Sequence, residues 1–532
     1  MKIDAVTAER IGLDWLRAAI APVGTFGRRH DEGIAPYGPG DDARAHAEIA
    51  DVVALAARLD ASEVGRVRAA LRAVPEPSPI VARTRVGDPL GDVDFYELGR
   101  FVDALDLLAR GWDAAVREPS PGKERDDRRP PVLDGLRAVL APGRERGGFY
   151  LADAFGPGLR AARAALAGAE ASFDAQREAI AARVRDAFGV DPIGEEFVVL
   201  RSVYDGPLPD DVRAVRETPT YRVLRLAVVV PERDAAFAAL AEEEERARRM
   251  LAETVAREAE AVAEATRALG ALDRLLARIA FTQRWGGCVP RFDAGAAAFT
   301  EATFAPLADA LAARGHRYTP ISLELRGVAV LTGPNMGGKS AALATAGFVC
   351  ACVALGVPPP AHAASLPLLE AIVWLGGDGP AERARLLSSY AAEIVRAQAA
   401  LSSASARTLV VIDEFARTTG PREGRALLIA FAEALRARGV FALLATHFDA
   451  IAETAGVAHL RIAGLRQHAL GPIDGDDLDA ALDAINAAMD YRVVAAHGGT
   501  SESDALALAR LLGLESSIVD RARSLYEEPA KP

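Results

Sequence analysis

The residues of this chain best spaced for chemistry are Gly333-Pro334-Asn335-Met336-Gly337-Gly338-Lys339-Ser340. They fit G-x-x-x-x-G-K-[ST], a loop whose backbone N–H groups cradle phosphates. The apolar run Val328-Ala329-Val330-Leu331 before it reads as a buried strand, and the helix-prone run 341–347 follows it. A strand, a glycine turn and a helix in that order aim orphan N–H groups and a positive helix end at one point, where an anion can sit. Lys339 would add a point charge near the β- and γ-phosphates of ATP, and Ser340 a ligand for Mg²⁺. Lysine occurs only at positions 2, 123, 339 and 531, in a chain otherwise rich in arginine, so its use here looks selective.

A second run, Leu409-Val410-Val411-Ile412-Asp413-Glu414, is a strand ending in two carboxylates. In phosphate-loop ATPases such an aspartate holds Mg²⁺, usually through water, and the glutamate polarises the attacking water. A third run, Val440 to Ala445, ends in Thr446-His447, where a histidine can sense a γ-phosphate. Each run alone is weak; the order of all three is what points to a nucleotide site.

The elements that must carry this site are mostly helical. The 532 residues suffice for about three to four domains. Half are hydrophobic, with much alanine and few aromatics, which favours long helices packed through small side chains. The first segment, 1–156, reads as a helical core, with an amphipathic stretch marked by Ile11, Leu13, Trp15, Leu16 and Ile20 and helices over 42–59 and 61–73. A Pro-rich charged linker covers 118–130. In the segment 157–282, a long helix over 157–188 carries Leu159, Leu166, Phe173 and Ile180 at seven-residue spacing. Phe197–Leu200 and Leu224–Val230 read as strands of a small β-rich tip at about 190–231. A second helix over 232–282 would reach on the order of 75 Å. Periodicity alone suits either an antiparallel arm or an ordinary bundle with a β insertion. Residues 283–325 lead back to a nucleotide domain over 326–532.

The net charge of −12 gives no general field for nucleic acid, so any DNA contact must be local. Between 193 and 235 there are six arginines, eight acids and no lysine, a poor phosphate binder unless the arginines gather on one face. Cys288, Cys350 and Cys352 form no C-x-x-C pair and read as reduced thiols of a cytoplasmic protein. The start has no signal-peptide pattern, and no apolar run is long enough for a membrane span.

Together the motifs resemble the MutS family of ATPases, a branch of the ABC-type nucleotide-binding fold. Residues 333–340 match that family's own phosphate loop. Asp413-Glu414-Phe415-Ala416-Arg417-Thr418-Thr419 resembles its Walker B and D-loop stretch, and Ala445-Thr446-His447-Phe448 its switch-histidine segment. Ser388-Ser389-Tyr390-Ala391-Ala392-Glu393 resembles its signature, whose serine crosses to the partner's ATP. Fainter likenesses are Phe149–Asp153 at the entry to the outgoing helix, Leu272–Ala277 where the lever returns, and Ala505–Ala509 with Ile518–Arg523 in the closing helices.

The resemblance implies an all-α core with a lever-and-clamp arm and a small β-rich tip, followed by an α/β P-loop ATPase domain. It implies a homodimer with composite sites for ATP and Mg²⁺. Gly333, Pro334, Asn335, Met336, Gly337, Gly338 and Lys339 would hold phosphates, and Ser340 and Asp413 the metal. Glu414 and His447 would act on the reaction, and Ser388 would come from the partner. Two cargoes fit: non-mismatch or branched DNA, or a protein such as an adenosylcobalamin-dependent lysine or ornithine aminomutase, the latter on the weak cue of Ala488–Arg492.

The pattern also departs from the family. Ala384–Leu387 lacks the usual glycine lead-in, and Thr418 and Gly420 alter the D-loop. Set against the family, the sequence is expected to start at the core, without mismatch-recognition and connector domains, and to lack the small MutS-related nuclease domain. Asp94-Phe95-Tyr96-Glu97 superficially resembles a mismatch-reading wedge. Phe95, Leu98, Phe101, Leu105 and Leu108, however, keep helical spacing and read as core.

Overall fold

The computed structural model describes residues 1–116, 128–192, 194, 196–293, 295–334, 337–376, 389–415, 420–448, 450–466, 488–496, 506, 509 and 514–527. Helices α1 (Ala5–Arg10), α2 (Leu13–Ala19), α3 (Thr25–Glu32), α4 (Asp42–Arg58) and α5 (Ala61–Arg72) open the chain. Next come α6 (Ser78–Arg85), α7 (Asp92–Ala115), α8 (Asp134–Leu140), the short ladder of β1 (Arg144–Glu145) and β2 (Gly148–Phe149), and α9 (Pro157–Phe188). Strands β3 (Glu196–Leu200), β4 (Val212–Glu217) and β5 (Tyr221–Leu226) precede α10 (Pro231–Arg257) and α11 (Ala259–Trp285). Then follow β6 (Ala297–Ala302), α12 (Ala305–Ala312), β7 (Ile321–Leu325), β8 (Val328–Thr332), α13 (Lys339–Ala354), β9 (Ala363–Ser365) and β10 (Ala371–Leu375). The last elements are α14 (Ser389–Ser403), β11 (Thr408–Asp413), α15 (Pro421–Ala437), β12 (Phe441–Ala445), α16 (Ile451–Ala455), β13 (Ala458–Leu465), β14 (Met489–Ala495) and α17 (Ser516–Glu527).

The chain divides into two units. One comprises Met1–Arg72, Gly111–Asp126 and Leu269–Pro532, and the other Ala73–Arg110 and Asp127–Ala268. The first is built on a sheet of order β10-β11-β12-β8-β13-β14, parallel except for β14. Its central strands, such as Leu409–Ile412 and Phe441–Ala445, are apolar throughout because helices cover both faces. Against one face pack α13, α1, α2 and α4, through Ile11, Leu16, Ile49, Leu343 and Phe348. Against the other pack α14, α15 and α16, through Ala397, Leu428, Phe431 and Ile451. The amphipathic stretch expected at the start is two helices. Gly12 breaks it at φ +68, and a Cβ there would lie 2.6 Å from Pro306.

Polar groups hold α11 to this unit. The buried Asp273 carboxylate accepts the Val23 N–H (3.1 Å) and the Gly24 N–H (2.7 Å) at the start of α3. Burial pushes its pKa up, while these two N–H groups pull it down. Gly27 makes room, since a Cβ there would sit 2.3 Å from the carboxylate. The next residue, Arg274, pairs with Asp31 and Glu48. Arg278, 2% exposed, donates to Asp31 (3.3 Å) and to the Leu355 carbonyl (3.1 Å) just past α13.

In the second unit, α9 and α10 lie antiparallel. Gly158 meets Glu243, and the Arg233 guanidinium stacks 4.3 Å from the Phe173 ring centre. On the expected seam, Leu159 and Ile180 are buried, Leu166 and Phe173 only half-buried, and Ala162 and Ala169 fill the close approach. The single helix expected over 232–282 is two, parted at Glu258, where neither proline nor glycine signals the break. The tip has three strands, not two, in the antiparallel order β3-β5-β4. Strand β4 escaped the pattern because only Val212 of its six residues is buried. The last expected strand stops at Leu226 rather than Val230. Phe95, Leu98, Phe101, Leu105 and Leu108 are all buried on α7, with Phe95 against Phe149, so no aromatic wedge is presented there. The linker expected over 118–130 falls largely outside the described residues. Among those described, no helix is long and apolar enough to cross a membrane.

Asp273→Ala leaves two buried N–H groups without an acceptor and is expected to destabilise the first unit by about 2–4 kcal/mol in urea unfolding. The exposed control Arg17→Ala should change it by under ~0.5 kcal/mol, and equal effects of the two would refute the assignment.

Candidate functional site

Strands β8, β12 and β11 are adjacent and parallel, so their carboxyl ends open onto one crevice, where parallel α/β sheets bind ligands. Asp413 stands opposite Ala445, and Ala445 opposite Leu331. This register brings the three sequence motifs together although they span more than a hundred residues.

The loop after β8 turns on glycine. Gly333 has φ +149, and a Cβ would lie 2.9 Å from Ile462 of β13. At Gly337 a Cβ would lie 2.8 Å from the Pro334 carbonyl oxygen, and the Gly337 N–H donates to that oxygen at 3.0 Å. Gly338, with φ +85, is the N-cap of α13, and a Cβ there would lie 3.0 Å from Tyr491 of β14. The loop is therefore a cradle that side chains would fill, at the positive end of a 16-residue helix. Lys339 Nζ donates to the carbonyls of Gly333 (2.8 Å) and Pro334 (3.1 Å). Burial lowers its pKa, opposed by the charges of Glu414 and Asp413.

The Ser340 hydroxyl stands close enough to the Asp413 carboxyl to favour its ionised form. Burial pushes the Asp413 carboxyl up, and the Ser340 hydroxyl, Arg10 and Lys339 pull it down. A hydroxyl beside a carboxylate is the hard-oxygen donor set that Mg²⁺ takes. The next residue, Glu414, has φ +57, in the left-handed region that non-glycine residues seldom occupy, and its N–H donates to the Ala445 carbonyl at 3.1 Å. That strained turn swings the Glu414 carboxylate out of the sheet to hydrogen-bond His447 Nε2.

Of the residues singled out by sequence, Gly333, Pro334, Gly337, Gly338, Lys339, Ser340, Asp413, Glu414 and His447 converge here. Asn335, Met336 and Ser388 lie outside the described residues, as does 416–419 of the D-loop stretch. Sequence reading missed the wall beside the loop. Tyr318, Gly338, Ala341, Arg466, Met489 and Tyr491 line a cavity of about 710 Å³. Two aromatic rings next to a phosphate cradle make a volume suited to a planar base. No spacing rule links Tyr318 and Tyr491, which come from separate stretches on either side of the motifs.

Gly376 follows β10 with φ +97, and a Cβ there would lie 1.9 Å from the Asp413 carbonyl oxygen. Gly376→Ala must therefore push β11 away from its neighbour. A loss of about 2 kcal/mol or more in chemical denaturation is expected, and wild-type stability would contradict this packing.

Comparison with known proteins relates the chain to MutS proteins. The family model described as MutS domain V matches residues 329–529. A DNA mismatch repair protein MutS of Thermus thermophilus is 29% identical over 414 residues, covering 75% of this chain and 48% of that protein. The MutS of Thermus aquaticus is 31% identical over 279 residues, 52% of this chain and 32% of that protein. An endonuclease MutS2 of Thermomicrobium roseum is 32% identical over 211 residues, 39% of this chain and 24% of that protein. The chain thus spans at most about half the length of these relatives. The sheet of β8 and β10–β14 lies almost wholly within the matched residues, and the chain's similarity to MutS proteins reaches well beyond them, over three quarters of its length.

Proposed function

We propose that the chain binds and hydrolyses Mg-ATP as a homodimer and uses the cycle to gate a DNA-binding clamp. The observation that carries the nucleotide reading is the convergence of the glycine cradle, the Ser340–Asp413 pair and the Glu414–His447 pair at the ends of three adjacent strands. In this reading Gly333, Gly337, Gly338 and Lys339 bind phosphates, with Pro334, Asn335 and Met336 completing the loop. Ser340 and Asp413 hold Mg²⁺, which supplies charge neutralisation at the phosphates. Glu414 orients the attacking water and accepts its proton, with His447 fixing that carboxylate near the terminal phosphate. The cavity between Tyr318 and Tyr491 takes the base, and Ser388 of a second copy completes the site. Coupling would run through α13: its far end is tied by the Leu355 carbonyl to Arg278 of α11, and α11 contributes residues to both units.

Lys339→Ala is expected to weaken ATP binding by roughly 10–100-fold, the worth of a charge-assisted hydrogen bond. Glu414→Gln should bind ATP normally and turn over about 10²–10⁴-fold more slowly. Titration calorimetry and phosphate release check both, and normal turnover of Glu414→Gln removes it from its role.

The DNA reading draws on the relatives' printed names and on one feature of the tip. Residues 213 and 216 would point to opposite faces of a regular strand. A bulge at 214–216 of β4 changes the parity, so Arg213 faces Arg225 and Arg216 faces Val223 across β5. Both arginines therefore stand on the outer, solvated face, where neither has an ion-pair partner among the described residues, while Arg201, Arg222 and Arg225 are engaged by local carboxylates. Arg213 and Arg216 would be the phosphate contacts. Val198 and Leu200, exposed on that same face, favour the second reading, a protein cargo. Replacing both arginines with alanine should lower the slope of log K against log salt for duplex and branched DNA by about 2 in gel-shift titrations. Wild-type protein that shifts neither DNA at low salt would leave the protein cargo as the reading.

A further inference from the structure

The first helix of the chain is fastened to the edge of the nucleotide-binding sheet. Lys2 bridges in parallel to Ala371, giving its N–H to the Glu370 carbonyl (2.6 Å) and taking the Ile372 N–H (3.1 Å). Asp4 caps α1 by accepting the Thr7 N–H at 2.7 Å, and Arg396 of α14 donates both to Asp4 (3.3 Å) and to the Trp374 carbonyl (2.7 Å). Three residues up β10, the buried Thr7 hydroxyl oxygen accepts the Trp374 N–H at 2.9 Å. The segment thus advances alongside β10 in the strand's own direction, with Lys2 level with Ala371 and Thr7 level with Trp374.

One further turn of α1 arrives at Arg10, on the same side of the helix as Thr7. It lies towards the carboxyl end of β10. There Leu375 pairs with Ile412, and Gly376 packs on the Asp413 backbone. Arg10 is exposed, has no ion-pair partner among the described residues, and its charge reaches the Asp413 carboxylate. A guanidinium without an ion-pair partner among the described residues, within electrostatic reach of the Asp413 carboxylate and carried by a helix anchored in a buried hydrogen bond, is a charge with a fixed address.

We infer that Arg10 is a phosphate-sensing residue of the nucleotide site, supplied in cis by the first helix and facing the terminal phosphate of a bound nucleoside triphosphate. A diphosphate leaves Arg10 without that anion, so α1 and the edge of the sheet register which nucleotide is bound. A guanidinium there would also balance the charge that the transferring phosphoryl group spreads over its oxygens. The inference rests on the Mg-ATP reading above.

The test uses the full-length chain with Mg-ATP and Mg-ADP. Arg10→Gln is expected to keep its melting temperature and its ADP affinity, to lose at least ~10-fold in ATP affinity relative to ADP, and to lose at least ~10-fold in kcat. Arg10→Lys, which keeps the charge without the planar fork, should recover part of both losses. An unchanged ATP-to-ADP preference with unchanged kcat overturns the inference. So does an equal loss for both nucleotides or a lowered melting temperature, either of which marks a structural role. Wild-type protein that binds neither nucleotide overturns the reading of the site itself, and this inference with it.

Discussion

Helix α13 is buried on nearly every side, and the rest of the first unit is arranged to allow it. Fourteen of its sixteen residues, Lys339 among them, are buried. A helix so enclosed cannot be amphipathic, and its composition of alanine, glycine, cysteine and a few larger apolar residues is what close approach demands. Gly347 shows the tolerance, since a Cβ there would lie 2.5 Å from Ile11. Burial also pushes the Cys350 thiol up to about 12 and raises the Cys352 thiol well above its ordinary value, so both behave as small apolar groups rather than nucleophiles. A rigid, enclosed helix transmits displacement, because a packed core has no slack to absorb it. One end of α13 carries the cradle, and the other ends beside the Leu355 carbonyl that Arg278 holds.

The buried charges follow the same logic. Arg278 is nine-tenths and more enclosed, and burial and Arg274 lower its pKa to about 10. It persists because Asp31, Glu48 and two backbone carbonyls surround it. Removing one partner of such a cluster costs far more than the cluster contributes, so it serves to fix geometry more than to stabilise. The four charged groups join α11 to α3 and α4, and Asp273 adds a capping contact one residue before Arg274. At the carboxyl ends of β8, β11 and β12 the charges are gathered rather than enclosed. Asp413 and Glu414 sit side by side at a strained turn with Lys339 and Arg10 as the facing cations, a field suited to divalent metal and polyphosphate.

The tip of the second unit illustrates how little net charge says about binding. Its small core of Val184, Phe188, Phe197, Val199, Leu224 and Leu226 faces inward. The outer face holds whatever the strand register turns outward. Counting charges along the sequence treats all six arginines alike. The structure divides them into three held by local carboxylates, two on β4 that a single extra residue turns to one face, and Arg233, which stacks on Phe173.

Much was settled by sequence alone, for physical reasons that act locally. The strand, glycine turn and helix at 328–354 follow from side chains that leave few conformations open. The carboxylate-ended strand and the histidine-ended strand follow from apolar runs too short for helices. The long helix at 157–188 and the core face of α7 follow from spacing. What the sequence left undetermined depends on contacts between distant residues. The strand order that brings Asp413 beside Ala445 and Leu331, the placing of Tyr318 and Tyr491 around one cavity, the break at Glu258, the bulge in β4 and the seating of α1 against β10 have no local signal. Each is set by what packs against it, and only the folded chain supplies that neighbour.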